Sequence, residues 1–314
     1  MKKNKKILLA IDGSEQSFTA ARYVSRVFSK QSEVVLFHVA AEVPEAFRDM
    51  NVQSLSDIAN YPLQIWKVHQ QEFINEFMEK AHTIFVDAGF SREAVSIETQ
   101  TLKSGVARDI LNESHREHST LVLGRTGLST VEEITIGSVA TKLLEAVNHI
   151  PVIVVGEKPN SNKILLAFDG SKGSWNAVDC IGALLDPATC EVMLCHVIRS
   201  LDVQQLRFEK PFVPEHERDW IEAGKQKIVP ALVEAKKRLV KAGLAAEQVS
   251  SKILTYEKSR AAAIAKAARS GGYDTIVLGR RGHTSLEHFM IGRVSRKIID
   301  FAFQPALWIV NYTS

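Results

Sequence analysis

Three glycines in the pattern G-x2-G-x9-G stand at Gly124, Gly127 and Gly137, and the same spacing returns 155 residues later at Gly279, Gly282 and Gly292. Glycine has no Cβ, so a loop built on it can bring several backbone N–H groups close to one anion. Each third glycine opens a helical pattern, GSVATKLLEAV after Ile136 and GRVSRKII after Ile291. A helix N-terminus adds unpaired N–H groups and the positive end of the helix dipole, and phosphate is the matching ligand. In the first copy Ser138 supplies a hydroxyl in the first turn, and Val139 begins the face that packs back on the protein. A single copy could merely shape a strand-to-helix crossover. Two copies in register favour phosphate binding.

Asp12 and Asp169 recur inside Asp-Gly-Ser, just after short apolar runs. There a carboxylate can accept from a ribose hydroxyl or a base N–H, or it can close an Asx turn with the glycine that follows. The sequence leaves both uses open. Two features disturb the cradles. Glu132 and Glu133 lie between Gly127 and Gly137, where carboxylates repel a triphosphate unless they face solvent or a divalent cation intervenes. In the second copy Arg293 stands where the first has Ser138; its bulk could fill the phosphate space or its guanidinium could pair with phosphate, and loss or alteration of the second site is the expectation.

The elements that must position these residues are duplicated too. KILLAIDGS at Lys6 returns as KILLAFDGS at Lys163, VVLFHV as VMLCHV, and PVIVV at Pro151 as PALWIV at Pro305. Two similar domains are therefore expected, over 1–156 and 163–314, joined by the short polar segment 156–162. Short β-branched runs alternating with helical periodicity indicate parallel sheets flanked by helices. In the first half strands are read over 6–11, 33–39, 95–101, 120–124 and 151–155, with a helix capped by Ser14 and a longer one from about Trp66 to Asp87. The stretches 40–61 and 201–219 differ completely, so function can diverge there; Phe47, Leu55, Phe208 and Phe212 could line an apolar or lipid-binding pocket, or cap the cores.

Composition describes an ordinary globular chain of 314 residues, 45% hydrophobic and 24% charged, with no apolar run long enough for a membrane helix. The first half carries 16 Lys and Arg against 19 Asp and Glu, and residues 157–314 carry 23 against 17. Cations interleave with acids at helical spacing, a solvated face rather than a nucleic-acid stripe. Cys180, Cys190 and Cys195 form no zinc-type pair and read as reduced, mostly buried thiols of a cytoplasmic protein. His38 and His196 sit at apolar strand ends and read as hydrogen-bonded core histidines, and His115 and His118 lack a third metal ligand, so no metal site is assigned. Arg280, Arg281 and His283 could recognise an anion or form an exposed turn. No nucleophile or metalloprotease motif is present.

Taken together, ILLAxDGS, the HV strand end, the G-x2-G-x9-G-Ser loop and the closing PV strand resemble the universal stress protein family in tandem form, over nearly the whole chain. The resemblance implies two doubly wound, five-stranded parallel α/β domains of order 3-2-1-4-5, akin to adenine-nucleotide hydrolase-like folds. It implies binding of ATP or AMP, with Mg or Mn as the accompanying ion. Asp12 and the backbone of Val39 would contact adenosine, while Gly124, Gly127, Gly137, Ser138 and Val139 would hold ribose and phosphates. In the second half Asp169, Val197, Gly279, Gly282, Gly292 and Val294 persist, with Arg293 the departure. The loop supplies a cradle without a base or a positioned water, so binding with negligible turnover is expected, in a regulatory role toward a protein partner; slow ATP hydrolysis and a scaffold that ignores nucleotide are the alternatives. The fifth strands are expected to pair within one chain, and a homodimer is a further possibility.

Overall fold

The computed structural model describes residues 5–42, 61–126, 136–157, 159–200, 214–282, 291–301 and 305–311. In the first half β1 (Lys6–Ala10), β2 (Glu33–Ala40), β3 (Val95–Thr101), β4 (Thr120–Gly124) and β5 (Val152–Val155) alternate with α1 (Glu15–Val27), α2 (Tyr61–Asp87), α3 (Val106–Ser114) and α4 (Ser138–Ala146). The second half repeats them as β6 (Lys163–Ala167), α5 (Lys172–Leu184), β7 (Glu191–Arg199), α6 (Pro214–Ala242), β8 (Val249–Glu257), α7 (Arg260–Gly271), β9 (Thr275–Gly279), α8 (Arg293–Phe301) and β10 (Ala306–Val310). All five expected strands of the first half form within a residue or so. The second helix starts at Tyr61, five residues before the expected Trp66.

Central strands are apolar runs such as KILLA because helices cover both faces of a parallel sheet. The Ser14 and Ser171 hydroxyls accept from the N–H of Ser17 at 3.2 Å and Ser174 at 3.3 Å, so each Asp-Gly-Ser starts a helix. Gly13 and Gly170, at φ 80° and 77°, make the left-handed turn that leads into it.

Both halves keep the order 3-2-1-4-5, yet they share one ten-stranded sheet, β3-β2-β1-β4-β5-β10-β9-β6-β7-β8. The seam is the expected pairing of the fifth strands, antiparallel, with Ile153 opposite Trp308. Each layer of the core also runs through the seam: Ile153, Val155, Trp308 and Val310 belong to one cluster, Val152, Val154, Leu307 and Ile309 to the other. A second tie joins the helix ends, where Ser29 N–H donates to Leu184 O at 3.0 Å and Asp186 N–H to Val27 O at 2.9 Å. These contacts are related by a pseudo-twofold. The sheet's outer edges, β3 and β8, are mixed polar strands.

Cys190 and Cys195 are buried and free, and loss of solvent raises their thiol pKa to about 11. Only the thiolate attacks disulfide reagents. At about pH 8 both thiols are expected to react slowly in the native protein and quickly in denaturant, followed by dithionitrobenzoate absorbance. Native labelling at the rate of a free cysteine would contradict their placement.

Candidate functional site

Parallel strands present their carboxyl ends along one edge, and the chain reverses its winding between β1 and β4, where open α/β sheets bind ligands. Asp12 follows β1 at this switch. Its Oδ1 accepts from the Ser14 N–H at 3.0 Å and from the Ser14 hydroxyl at 2.5 Å, so the Asx turn is formed. Oδ2 accepts no hydrogen bond among the described residues, so the turn does not exclude a ligand.

His38 explains how Val39 is presented. Ile11 N–H donates to Phe37 O at 2.9 Å, Leu102 N–H to Ala40 O at 2.9 Å, and the His38 Nδ1–H donates to Ile11 O at 2.7 Å. Successive residues of a strand direct their backbone groups to opposite neighbours. Val39 therefore faces the side where β1 has already ended. Burial lowers the His38 pKa, with the Ile11 hydrogen bond and Asp12 opposing, and a neutral imidazole is the form that fits here. His196 repeats the device on Phe168 O at 2.8 Å. Both histidines are structural, as expected.

Across the switch, Gly124 ends β4, and Gly137 N–H donates to Arg125 O at 2.8 Å, pinning the start of α4 beside the strand end. Gly137 is the N-cap residue, Ser138 is exposed in the first turn, and Val139 packs on the core. Gly127, Glu132 and Glu133 fall outside the described residues. Gly124 has a packing role of its own: a Cβ there would meet the Gln16 backbone at 3.0 Å. In the second half a Cβ on Gly279 would lie 2.5 Å from the Gly173 carbonyl carbon, and one on Gly292 would lie 3.2 Å from Arg280 O. These glycines serve the strand-to-helix crossover whatever else they do. The second copy otherwise repeats the first: Gly292 N–H donates to Arg280 O at 2.8 Å, Arg293 is the first residue of α8, and Val294 packs on the core as Val139 does. Val197 lies near the end of β7, and a Cβ on Gly282 would come within 2.7 Å of Asp169 Oδ2.

Arg280 departs from the anion-recognition reading. It is buried, and its guanidinium crosses the seam to α4, donating to Leu144 O and Val147 O at 2.7 Å and to Glu145 O at 3.0 Å, with Asn311 Oδ1 at 3.0 Å. Three carbonyls at a helix C-terminus, the negative end of its dipole, together with the Asn311 side chain, hold the buried cation. Loss of solvent lowers its pKa to about 10, so it stays charged at neutral pH. Arg125, its counterpart, is buried as well and reaches Ile299 O near the end of α8 at 3.4 Å. Each cradle loop thus grips the far end of the other half's cradle helix. The recurring Gly-Arg pair was the sequence signal for this contact.

Other candidates resolve structurally. His118 is buried against Glu113 at 3.1 Å, Arg116 pairs with the same carboxylate at 3.1 Å, and His115 stacks on His149 with ring centroids 4.0 Å apart. Among the described residues no three ligands cluster for a metal. His283, Phe47, Leu55, Phe208 and Phe212 lie outside the described residues. A cavity of about 380 Å³ lined by Lys5, Ser32, Asp179 and Arg238 opens at the amino-terminal ends of the strands, away from both loops.

The described residues form a doubly wound α/β sheet with glycine-bounded loops at its carboxyl edge, and comparison with known proteins agrees in fold. The universal stress protein family model matches twice, over residues 3–156 and 160–309, and the chain belongs to that family. Universal stress protein YxiE of Bacillus subtilis is 31% identical over 148 residues, 46% of this chain and 97% of its own length. A universal stress protein of Mycolicibacterium smegmatis is 25% identical over 173 residues, and the match spans only 55% of that protein. The crystal structure of a universal stress protein from Archaeoglobus fulgidus superimposes with a TM-score of 0.55 at 17% identity, covering 98% of this chain and 97% of that one. No helix among the described residues is long and apolar enough to cross a membrane.

Proposed function

We propose that the carboxyl edge of the first half binds an adenine nucleotide, ATP or AMP, and that the protein acts as a regulatory binding module in the stress response with little or no turnover. The single observation that carries this reading is the pinned start of α4: Gly137 N–H on Arg125 O sets the helix N-terminus beside the end of β4, on the carboxyl edge where Asp12 follows β1. Phosphates suit the α4 N-terminus and the Ser138 hydroxyl, while Asp12 Oδ2 and the Val39 backbone suit ribose and base. Mg or Mn would travel with the nucleotide, since the described residues offer no metal cluster of their own. A change at the bound loop, read by a protein partner in the cytoplasm, is the proposed output.

A valine at position 137 puts a branched side chain at the helix opening. Gly137→Val is expected to weaken ATP binding at least about tenfold in equilibrium dialysis. Equal affinity in both proteins would remove the assigned site. Native mass spectrometry after gentle purification separates this reading from an apolar-ligand scaffold, because retained ATP or AMP supports the first and an acyl mass the second. Release of phosphate over many turnovers would replace the binding module by an enzyme.

A further inference from the structure

The pseudo-twofold fails beside the helix ends that tie the halves together. Arg26 in α1 and Ala183 in α5 are counterparts, each twelve residues past its capping serine. Lys5 and Asn162 are counterparts too: each precedes a KILLA strand, and their carbonyls accept from the N–H of Glu33 at 2.8 Å and of Glu191 at 3.1 Å. On one side of the tie Arg26 crosses to the second half, donating from Nε to Asn162 Oδ1 at 2.9 Å and from a terminal nitrogen to Pro159 O. On the other side position 183 carries no such arm, and the cavity of about 380 Å³ has Ala183 and Lys5 in its wall. Both halves share that wall. Val178 and Ala183 of α5 and Ala242 of α6 make its apolar part, and the two helices approach so closely there that a Cβ on Gly182 would stand 2.7 Å from the Ala242 Cβ. Arg238 lines the cavity as well, but Asp179 at 3.5 Å and Glu234 at 3.6 Å balance its charge. The Lys5 ammonium has no ion pair among the described residues. Loss of solvent raises the Cys180 thiol pKa and Lys5 opposes it, so this charge is felt at α5. Ser32 is 2% exposed, and among the described residues its hydroxyl makes no hydrogen bond.

A buried hydroxyl without a partner is destabilising unless something else supplies one, and an unpaired ammonium on the same wall calls for an anion. We propose that this seam cavity binds a small carboxylic acid with a short unbranched stem, its carboxylate on the Lys5 ammonium and the Ser32 hydroxyl and its stem along Val178, Ala183 and Ala242. The ligand takes the place of the arm that Arg26 provides on the other side of the tie. Its polarity is reversed, because a cation stands where Asn162 accepts. A cavity of this size suits a small molecule rather than a folded partner. The site lies at the amino-terminal ends of the strands, so it does not depend on the nucleotide reading.

The test titrates the full chain with sodium hexanoate, followed by saturation-transfer NMR. Hexanoate should bind with a Kd of about 1 mM or tighter, and hexanol, which has the same stem and no charge, at least about tenfold more weakly. Ala183→Arg restores the arm found in the other half and should weaken hexanoate at least about tenfold by filling the cavity. Lys5→Gln, a change at an exposed side chain, should weaken it at least about fivefold and flatten its dependence on salt, which guards against a misfolded Ala183→Arg. Ser32→Ala separates binding from structure: affinity should fall about threefold while the melting temperature does not fall, because the hydroxyl has no partner to lose. No binding at about 10 mM hexanoate, equal affinity for hexanol, or unchanged affinity in both Lys5→Gln and Ala183→Arg would overturn the site. ATP binding is measured separately, so failure here leaves the nucleotide reading intact.

Discussion

Arg280→Ala should lower the unfolding free energy by about 3–5 kcal/mol, a large loss for one side chain. The guanidinium satisfies three carbonyls at the end of α4, across the seam, and the Asn311 side-chain oxygen of its own half. Truncation leaves several buried acceptors without donors, each costing about 1–3 kcal/mol less whatever water recovers. Arg280→Lys should recover little, because one ammonium group cannot span acceptors that a planar fork reaches from two nitrogens. Urea titration checks this: the midpoint should fall with the slope unchanged. A shift of about 0.5 kcal/mol or less, the size expected of surface changes, would show that the crossing contact contributes nothing.

Trp308→Ala is the second large effect, expected at about 3–5 kcal/mol. Trp308 is fully buried in β10, packs on Phe28 with ring centroids 5.1 Å apart, and donates from Nε1 to the Tyr23 hydroxyl at 2.8 Å. Tyr23 in turn is 2.8 Å from Thr275 Oγ1, so two residues of the second half hold one of the first. Burial raises the Tyr23 pKa above its ordinary value, keeping the phenol neutral and able to serve both neighbours. Trp308→Phe keeps most of the volume and removes only the donor, and about 1–2 kcal/mol is expected. Circular dichroism and fluorescence should give coincident unfolding curves for the wild type, since each core layer is continuous through the seam. Separate transitions would mean that the halves unfold independently.

The strands were legible because a parallel strand covered on both faces has to be apolar throughout, as KILLA and VVLFHV are. Repetition supplied the pairing of Pro151–Val155 with Pro305–Val310, since a second copy of an exposed edge is the natural partner of the first. The early start of α2 was hidden: Tyr61, Pro62 and Leu63 carry no N-cap signature, and Pro62 suits a first helical turn as readily as a loop. Arg280 was misread because its acceptors are backbone carbonyls more than 130 residues away, and carbonyls leave no trace in residue type. The glycines show the limit most sharply. Gly279 is demanded by the approach of Gly173, and a sequence cannot tell room for a neighbouring backbone from room for an anion.

Val152–Val155 and Ala306–Val310 meet within a single polypeptide, and mass action therefore has no hold on their union. A short tether keeps the effective molarity of such partners high, so the melting temperature should not move on dilution. Fusion also frees the molecule from an obligation that binds every pair of identical subunits. A true twofold repeats each residue on both sides, whereas here one loop keeps serine while its mate has arginine, and a single gene can let its two halves diverge on one shared sheet.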